Sequence, residues 1–187
     1  MVLVNAQYRV TVTTEYRPPI GDWPVIYQAE ELNLDDFYTV RFIYAEPAGG
    51  QPFRAAVTAY LASSKEPCAV LEERMLTMIL FRTILRIDLN TGTVVQCVDC
   101  ENSGGLEEIH PIAGGYIIKG EGEIFRYDTD LNQIWQFGGR DIFARPTAEK
   151  CFWIEGDVIH CRDWAGWHYV RDLNKNLLSE TMEEIPD

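Results

Sequence analysis

Two segments of the chain align without a gap at an offset of forty residues, and this repeat limits what the chain can fold into. The first covers residues 84–96 and the second covers residues 124–136. Isoleucine, arginine, aspartate and glutamine recur at the same positions, and apolar residues match around them. A period near forty is typical of architectures that stack one small structural unit several times.

The residue pattern inside each segment predicts a β-hairpin. Residues 85–88 alternate between apolar and charged, which is the period of a strand with one buried face. An aspartate then opens a turn in each copy, because its carboxylate can accept hydrogen bonds from backbone N–H groups two residues further on. Gly92 and Asn132 fall at the corresponding turn position, and both residue types tolerate a positive φ angle. A β-branched or aromatic pair follows and is expected to begin the return strand.

The repeat extends beyond these two hairpins. Residues 76–79 match residues 116–119, so each unit is predicted to hold one strand followed by the hairpin. Residues 172–174 repeat the Asp-Leu-Asn of residues 88–90. The strands of a third copy, about 35 residues after the second, are predicted at residues 152–154, 158–163 and 167–170.

At these residues the sequence resembles the blades of pyrroloquinoline-quinone-type and WD-type β-propellers. In such blades a strand ending in Asp, a glycine turn and a Trp-bearing strand recur. The resemblance covers residues 74–180 and carries no cofactor residues over, so no cofactor is predicted. Closed propellers have roughly four to eight blades. We therefore expect a mainly β fold with antiparallel hairpin sheets, little helix, and either an incomplete propeller or an open β stack.

The N-terminal half does not repeat the unit, but it also predicts strands. Residues 53–61 fit both a helix face and a strand face, and a hairpin returning onto the preceding strand is favoured. Residues 29–36 are acidic and are expected to form one helical turn or a loop. The other predicted strands are residues 8–13, 23–28 and 38–45, with loops at 18–22 and 47–52.

One domain is predicted to span residues 1–187. A chain of this length can bury a core that is stable without a disulfide or a metal. A seam near residues 63–73 is the best candidate for a boundary. It would separate an N-terminal β region, residues 1–66, from the repeated hairpin units at residues 74–180.

The chain carries a formal net charge of −13. Such a field repels phosphate backbones and anionic membrane surfaces, so neither nucleic acid nor a membrane is predicted as a partner. It favours a basic protein instead. The five cysteines are an odd number, and the apolar run at the N-terminus is too short for a signal peptide. These features predict reduced thiols and a cytoplasmic location.

Cys97 and Cys100 form a Cys-x-x-Cys motif. It could supply half of a zinc site, completed by Cys151, Cys161 or His160, which would make the chain a zinc-stapled β domain. A redox role would place the pair at the start of a helix, whereas this pair follows a predicted strand. The aligned positions of the second copy hold no cysteine, and two unlinked thiols are the favoured interpretation.

Aromatic and charged residues are concentrated between residues 160 and 169. Aromatic side chains beside an arginine are typical of protein-binding hot spots, although they could equally pack on neighbouring strands. The predicted binding residues are Arg162, Asp163, Trp164, Trp167, His168 and Tyr169. The leading hypothesis is a non-enzymatic acidic protein-binding module, in one version an immunity or inhibitor protein that neutralises a basic partner.

The alternative function is a carbohydrate-active or other hydrolase. It would use Asp157, His160, Asp163 and His168 around one pocket. Adjacent acidic pairs, such as those at residues 35–36 and 183–184, point to opposite faces of a strand and form no catalytic dyad by themselves. Nucleophile elbows, phosphate loops and metalloprotease motifs do not occur in the sequence, and an enzyme is therefore disfavoured.

Overall fold

The computed structural model describes residues 1–29, 38–100, 103–144 and 150–183. Within these ranges the regular elements are all β-strands. No helix in this part of the chain is long and apolar enough to cross a membrane. The predicted turn or loop at residues 29–36, and the acidic pairs at 35–36 and 183–184, lie wholly or partly outside the described residues.

The described residues form seventeen strands, numbered in chain order. They are β1 (Val2–Val4), β2 (Tyr8–Tyr16), β3 (Val25–Gln28), β4 (Thr39–Pro47), β5 (Phe53–Ala59), β6 (Ala69–Glu72), β7 (Met75–Leu80), β8 (Thr83–Asp88), β9 (Thr93–Asp99), β10 (Leu106–Ile112), β11 (Gly115–Gly120), β12 (Glu123–Tyr127), β13 (Gln133–Gly138), β14 (Phe152–Glu155), β15 (Val158–Arg162), β16 (Trp167–Asp172) and β17 (Leu177–Met182).

The chain divides into two compact units, Met1–His110 and Pro111–Asp187, with the boundary inside β10. The strands form one five-stranded sheet, β1-β2-β4-β5-β3, and three four-stranded sheets, β6 to β9, β10 to β13 and β14 to β17. The predicted mainly β fold with blade-like antiparallel sheets is confirmed. The single domain with a seam near residues 63–73 stays a prediction.

The N-terminal sheet is built around a long antiparallel pair of strands. β2 runs against β4, and their alternating apolar residues Val10, Val12 and Ile43 are buried. β5 returns along β4 as an antiparallel neighbour, which confirms the predicted hairpin over residues 53–61. The short predicted strand after the loop at residues 18–22 is β3, and it pairs with β5 in parallel.

The three four-stranded sheets are successive copies of one unit, and each holds one strand more than the sequence pattern predicted. Asp88, Asp128 and Asp172 each lead from the third strand of a sheet into the loop before the fourth. The third copy therefore follows the second by 44 residues. The predicted offset of about 35 was wrong because it aligned the second strand of the third copy with the third strand of the second copy. The alignment at 35 matched Asp163 to Asp128, although Asp163 follows the second strand of its sheet.

A β-bulge recurs at the same place in every copy. The register between the third and fourth strands shifts at Arg86/Ile87, Arg126/Tyr127 and Val170/Arg171. Each shift leaves one residue of the fourth strand without a register partner, and these residues are apolar and between 50% and 55% exposed. They are Val95, Ile134 and Leu178. A bulge bends its strand and increases the local twist, so the repeat preserves the curvature of the sheet as well as its strands.

The loops after the third strands differ in one respect from the prediction. Gly92 has a φ of +69°, as predicted. In the second copy the positive φ, 59°, belongs to Leu131 and not to Asn132. Asn132 instead donates its backbone N–H and its side-chain amide to the carboxylate of Asp128, at 2.8 and 2.9 Å.

Apolar side chains of the two sheets in the second unit share one core. Ile117 and Ile124 of the β10–β13 sheet lie in it with Phe152, Ile159 and Tyr169 of the β14–β17 sheet. Burial of these side chains fixes which face of β15 and β16 points inward. Residues of the opposite parity on the same strands point away from this core.

Candidate functional site

All six predicted binding residues lie on the β14–β17 sheet or on the turn at residues 163–166 that joins β15 to β16. The side chains do not form one cluster, because neighbouring residues of a strand point to opposite faces. Trp167 and Tyr169 face the shared core, whereas Arg162 and His168 lie on the other face. The predicted residues therefore belong to two separate groups.

Asp163 is fully buried, and its carboxylate accepts hydrogen bonds that hold the turn in its conformation. Its Oδ1 accepts a hydrogen bond from the backbone N–H of Trp167 at 2.8 Å. Its Oδ2 accepts one from the hydroxyl of Tyr169 at 2.8 Å and one from the backbone N–H of Arg140 at 3.2 Å. Burial, with the hydrogen bond to Asp163, raises the pKa of Tyr169 to about 12. Asp163 and Tyr169 are thus buried and support the turn from inside the fold, so neither side chain is exposed to a partner.

Arg140 is the residue that sequence reasoning missed on this face. Its guanidinium carbon lies 3.7 Å from the centre of the Trp167 ring, a cation–π arrangement. The same guanidinium forms an ion pair with Glu180 at 2.6 Å. Arg140 lies between β13 and β14 and contacts Trp167 through tertiary packing, so no local sequence signal links the two residues.

Three exposed apolar side chains belong to backbone segments next to this stack. Trp164 is 47% exposed, Ile142 is 38% exposed and Met182 is 69% exposed. The backbone N–H of Trp164 donates to the carbonyl of Ile142 at 2.8 Å, and Met182 is the register partner of Trp167. We call Trp164, Ile142, Met182, Trp167 and Arg140 the Trp164 surface.

A different group lies on the opposite face of the same sheet. Glu183 forms an ion pair with Arg162, whose Nη2 donates a hydrogen bond to Glu183 Oε1 at 3.2 Å, and the same oxygen lies 3.0 Å from Nδ1 of His168. Nε2 of His168 is 3.2 Å from Nδ1 of His160, and the His160 ring stacks on Trp153 with centroids 4.6 Å apart. Burial lowers the pKa of His168, against the opposing effect of Glu183.

The hydrolase alternative required four residues around one pocket. The structure brings His160 and His168 together, but Asp163 is buried on the other face of the sheet. Asp157 is exposed on the turn between β14 and β15. A concave depression of about 400 Å³ lies elsewhere, in the first unit, lined by residues 6–8, residues 47–50 and Asn90.

The cysteines are all free thiols. Cys97 is exposed and Cys100 is buried at the end of β9, and burial raises the pKa of Cys161 to about 12. Within the described ranges no three or more His, Cys, Asp and Glu side chains are grouped so that they could hold a metal ion. The Cys97-x-x-Cys100 motif is therefore not part of a multi-ligand centre among these residues.

No family model matches the chain, and no curated protein matches it either. Solved structures do resemble it. The AfRom2 CNH domain matches with a TM-score of 0.52 at 10% identity, covering 97% of this chain and 53% of that chain. The computationally designed Ika8 protein matches with a TM-score of 0.52 at 10% identity, covering 77% and 47%. The WD40 domain of Neurospora crassa Pan2 gives a TM-score of 0.47 at 13% identity, covering 65% and 38%.

The chain thus spans about half the length of the CNH domain and of Ika8. At these identities the likeness concerns the fold alone. It confirms the resemblance to propeller-type blades, which the three four-stranded sheets show directly.

Proposed function

We propose that this chain is a non-enzymatic protein-binding module that docks a basic protein on the Trp164 surface. The observation that carries the proposal is the exposure of Trp164, Ile142 and Met182 on segments next to the stacked pair of Arg140 and Trp167. Tryptophan and arginine are the residues most enriched in binding hot spots. Clustered exposed apolar side chains rimmed by polar groups mark interaction sites.

Hydrogen bonds and an ion pair order the surface before any partner arrives. Asp163 accepts hydrogen bonds from the backbone N–H groups of Trp167 and Arg140, and Glu180 pairs with the guanidinium of Arg140. Side chains that are already ordered lose little conformational entropy on binding, which leaves more of the contact energy as affinity. The β14–β17 sheet and the hydrogen bonds of the turn at residues 163–166 supply that order.

The charge of the chain favours a basic partner. The net charge is −13, and Asp141 and Glu180 lie beside the apolar residues of the surface. An acidic field accelerates encounter with a cationic protein and weakens as salt is added. An immunity or inhibitor protein that neutralises a basic toxin in the cytoplasm is the specific version that we propose, and the free state of all five cysteines supports the cytoplasmic location.

Affinity capture at low and high salt, followed by measurement of Kd with the purified partner, tests the proposal. We expect a stoichiometric basic protein that elutes at high salt. Trp164→Ala and Met182→Ser should each weaken binding about tenfold or more. Ile134→Ser, on an equally exposed apolar residue of the same unit, is the matched control and should leave Kd unchanged.

The melting temperature of each variant separates a lost contact from a lost fold. If both surface variants melt like the wild type and bind the partner with unchanged affinity, the Trp164 surface is not the binding site. If no stoichiometric partner is retained at either salt concentration, the binding function itself is wrong.

A further inference from the structure

His160 and His168 face each other across β15 and β16, with two ring nitrogens within hydrogen-bonding distance. Nδ1 of His160 lies 3.2 Å from Nε2 of His168, and the ring planes are inclined by 34°. The two strands pair antiparallel, with Arg162 opposite His168 and His160 opposite Val170. The two histidines are thus diagonal neighbours on one face of the sheet, and the register of the strands sets the distance between their rings.

This spacing is the one that two imidazole ligands adopt on a single metal ion. Zinc–nitrogen bonds are about 2.0–2.1 Å long, so two nitrogen ligands at a tetrahedral angle lie about 3.3 Å apart. We propose that His160 and His168 form a two-histidine chelate for a divalent transition-metal ion. The ion would replace the hydrogen bond between the two ring nitrogens.

The groups behind each ring hold it in the orientation that ligation requires. Nδ1 of His168 lies 3.0 Å from Glu183 and is placed to donate its proton to that carboxylate, so the lone pair of Nε2, which now faces His160, would bind the metal. Arg162 anchors the same carboxylate at 2.9 Å. A carboxylate behind a metal-binding histidine fixes its tautomer and raises its basicity.

The ring of His160 is held by stacking. It lies parallel to Trp153, with an interplanar angle of 4° and centroids 4.6 Å apart. The face of Trp153 is also occupied by the guanidinium of Arg162, at 5.0 Å. Stacking restricts rotation of the His160 ring but leaves the nitrogens at its edge accessible, because a metal approaches in the plane of the ring.

The donor set selects the class of ion. Imidazole ligands suit zinc, copper and nickel, whereas magnesium and calcium prefer oxygen. Among the described residues, the charged groups that face the pair include Glu183, Arg162 and Glu155, whose carboxylate is 4.0 Å from His160 Nε2. The carboxylates of Glu183 and Glu155 would attract a cation. With only two protein ligands among the described residues, the remaining coordination positions belong to water, and the ion exchanges freely.

Titration of the full chain with Ni²⁺ at pH 7.5, followed by tryptophan fluorescence and calorimetry, tests the proposal. Nickel quenches a nearby indole, and Trp153 is in contact with His160. We expect one Ni²⁺ per chain, fluorescence quenching that Trp153→Phe removes, and no response to Mg²⁺. His160→Asn and His168→Asn should each weaken nickel binding at least tenfold.

His110→Asn is the matched control. This third histidine lies in the first unit beside Glu108, at 3.0 Å, and its replacement should leave nickel affinity unchanged. All variants are made in a Cys97→Ser background, because an exposed thiol also binds nickel. Nickel binding that survives both His160→Asn and His168→Asn, in proteins with unchanged melting temperatures, overturns the proposal, as does the absence of calorimetric binding to the parent chain.

Discussion

The carboxylate of Asp172 accepts hydrogen bonds from both the backbone N–H and the side-chain amide of Asn176, each at 2.8 Å. Asp128 and Asn132 repeat this pair in the preceding sheet, at 2.8 and 2.9 Å. The hydrogen bond from Asn176 holds the pKa of Asp172 below its usual range. The two sheets of the second unit thus end their third strands with the same five-residue loop.

This loop predicts opposite effects of one substitution at equivalent positions. Lys175 has a φ of 73°, an arrangement that costs a non-glycine residue about 1–2 kcal/mol. Glycine removes that cost but loses about 0.5–1 kcal/mol of backbone entropy, so Lys175→Gly should raise the free energy of unfolding by about 0.5 kcal/mol. Leu131, with a φ of 59°, is buried, and Leu131→Gly should lower stability because apolar burial is lost. Urea unfolding of both variants measures the difference; a destabilised Lys175→Gly would contradict the prediction.

Gly115 and Gly114 are neighbours with very different tolerance. A Cβ at Gly115 would lie 2.0 Å from the carbonyl oxygen of Tyr127, whereas a Cβ at Gly114 would meet nothing within 4 Å. Gly115→Ala should therefore cost more than about 3 kcal/mol, because backbone of two paired strands must separate. Gly114→Ala, with a φ of +78°, should cost about 1 kcal/mol. Chemical denaturation compares them, and equal losses would show that strands β11 and β12 adjust more easily than their register implies.

Tyr169 should make the free energy of unfolding vary with pH in the alkaline range. Its pKa is raised from 10.0 to about 12, so the folded state favours the protonated phenol. Its contribution is complete below pH 10 and is lost as pH rises from 10 through 12. Tyr169→Phe should lower the free energy of unfolding by about 1–3 kcal/mol at pH 8, since Asp163 loses a buried donor. The difference in unfolding free energy between Tyr169→Phe and wild type should shrink at pH 11.5. Tyr60→Phe, at an exposed tyrosine, should unfold with the same free energy as wild type. A difference that stays constant across this pH range would contradict the assignment.

The cysteines should differ in reactivity. Cys97 is exposed, whereas Cys68 and Cys161 are buried and burial raises the pKa of both thiols. The thiolate is the reactive form. Iodoacetamide at pH 8 should therefore label Cys97 first in the folded protein, and all five cysteines after unfolding in urea. Peptide mass spectrometry identifies the labelled sites, and Cys97→Ser removes the fast phase. Early labelling of Cys161 would show that the shared core of the second unit opens readily.

The strands and the blade-like sheets could be predicted because their signals are local. Alternation of apolar and charged residues identified β8 and β12, and an aspartate marked the loop after each. The offset of the third copy could not be read in the same way. Its second and third strands are joined by the longer turn at residues 163–166, and an aspartate inside that turn matched the pattern of the loop. Only the pairing of β16 with β17 distinguishes the two.

The candidate surface likewise combines features that the sequence predicts with contacts that it does not. Aromatic and charged residues already gather around the β15–β16 turn in the sequence, and strand alternation separates Trp167 from His168. By contrast, tertiary packing places Arg140 over Trp167 and Ile142 beside Trp164. These contacts join segments more than twenty residues apart, and they exist because burial of the shared core brings the two sheets together. Such packing leaves no periodic trace in the sequence.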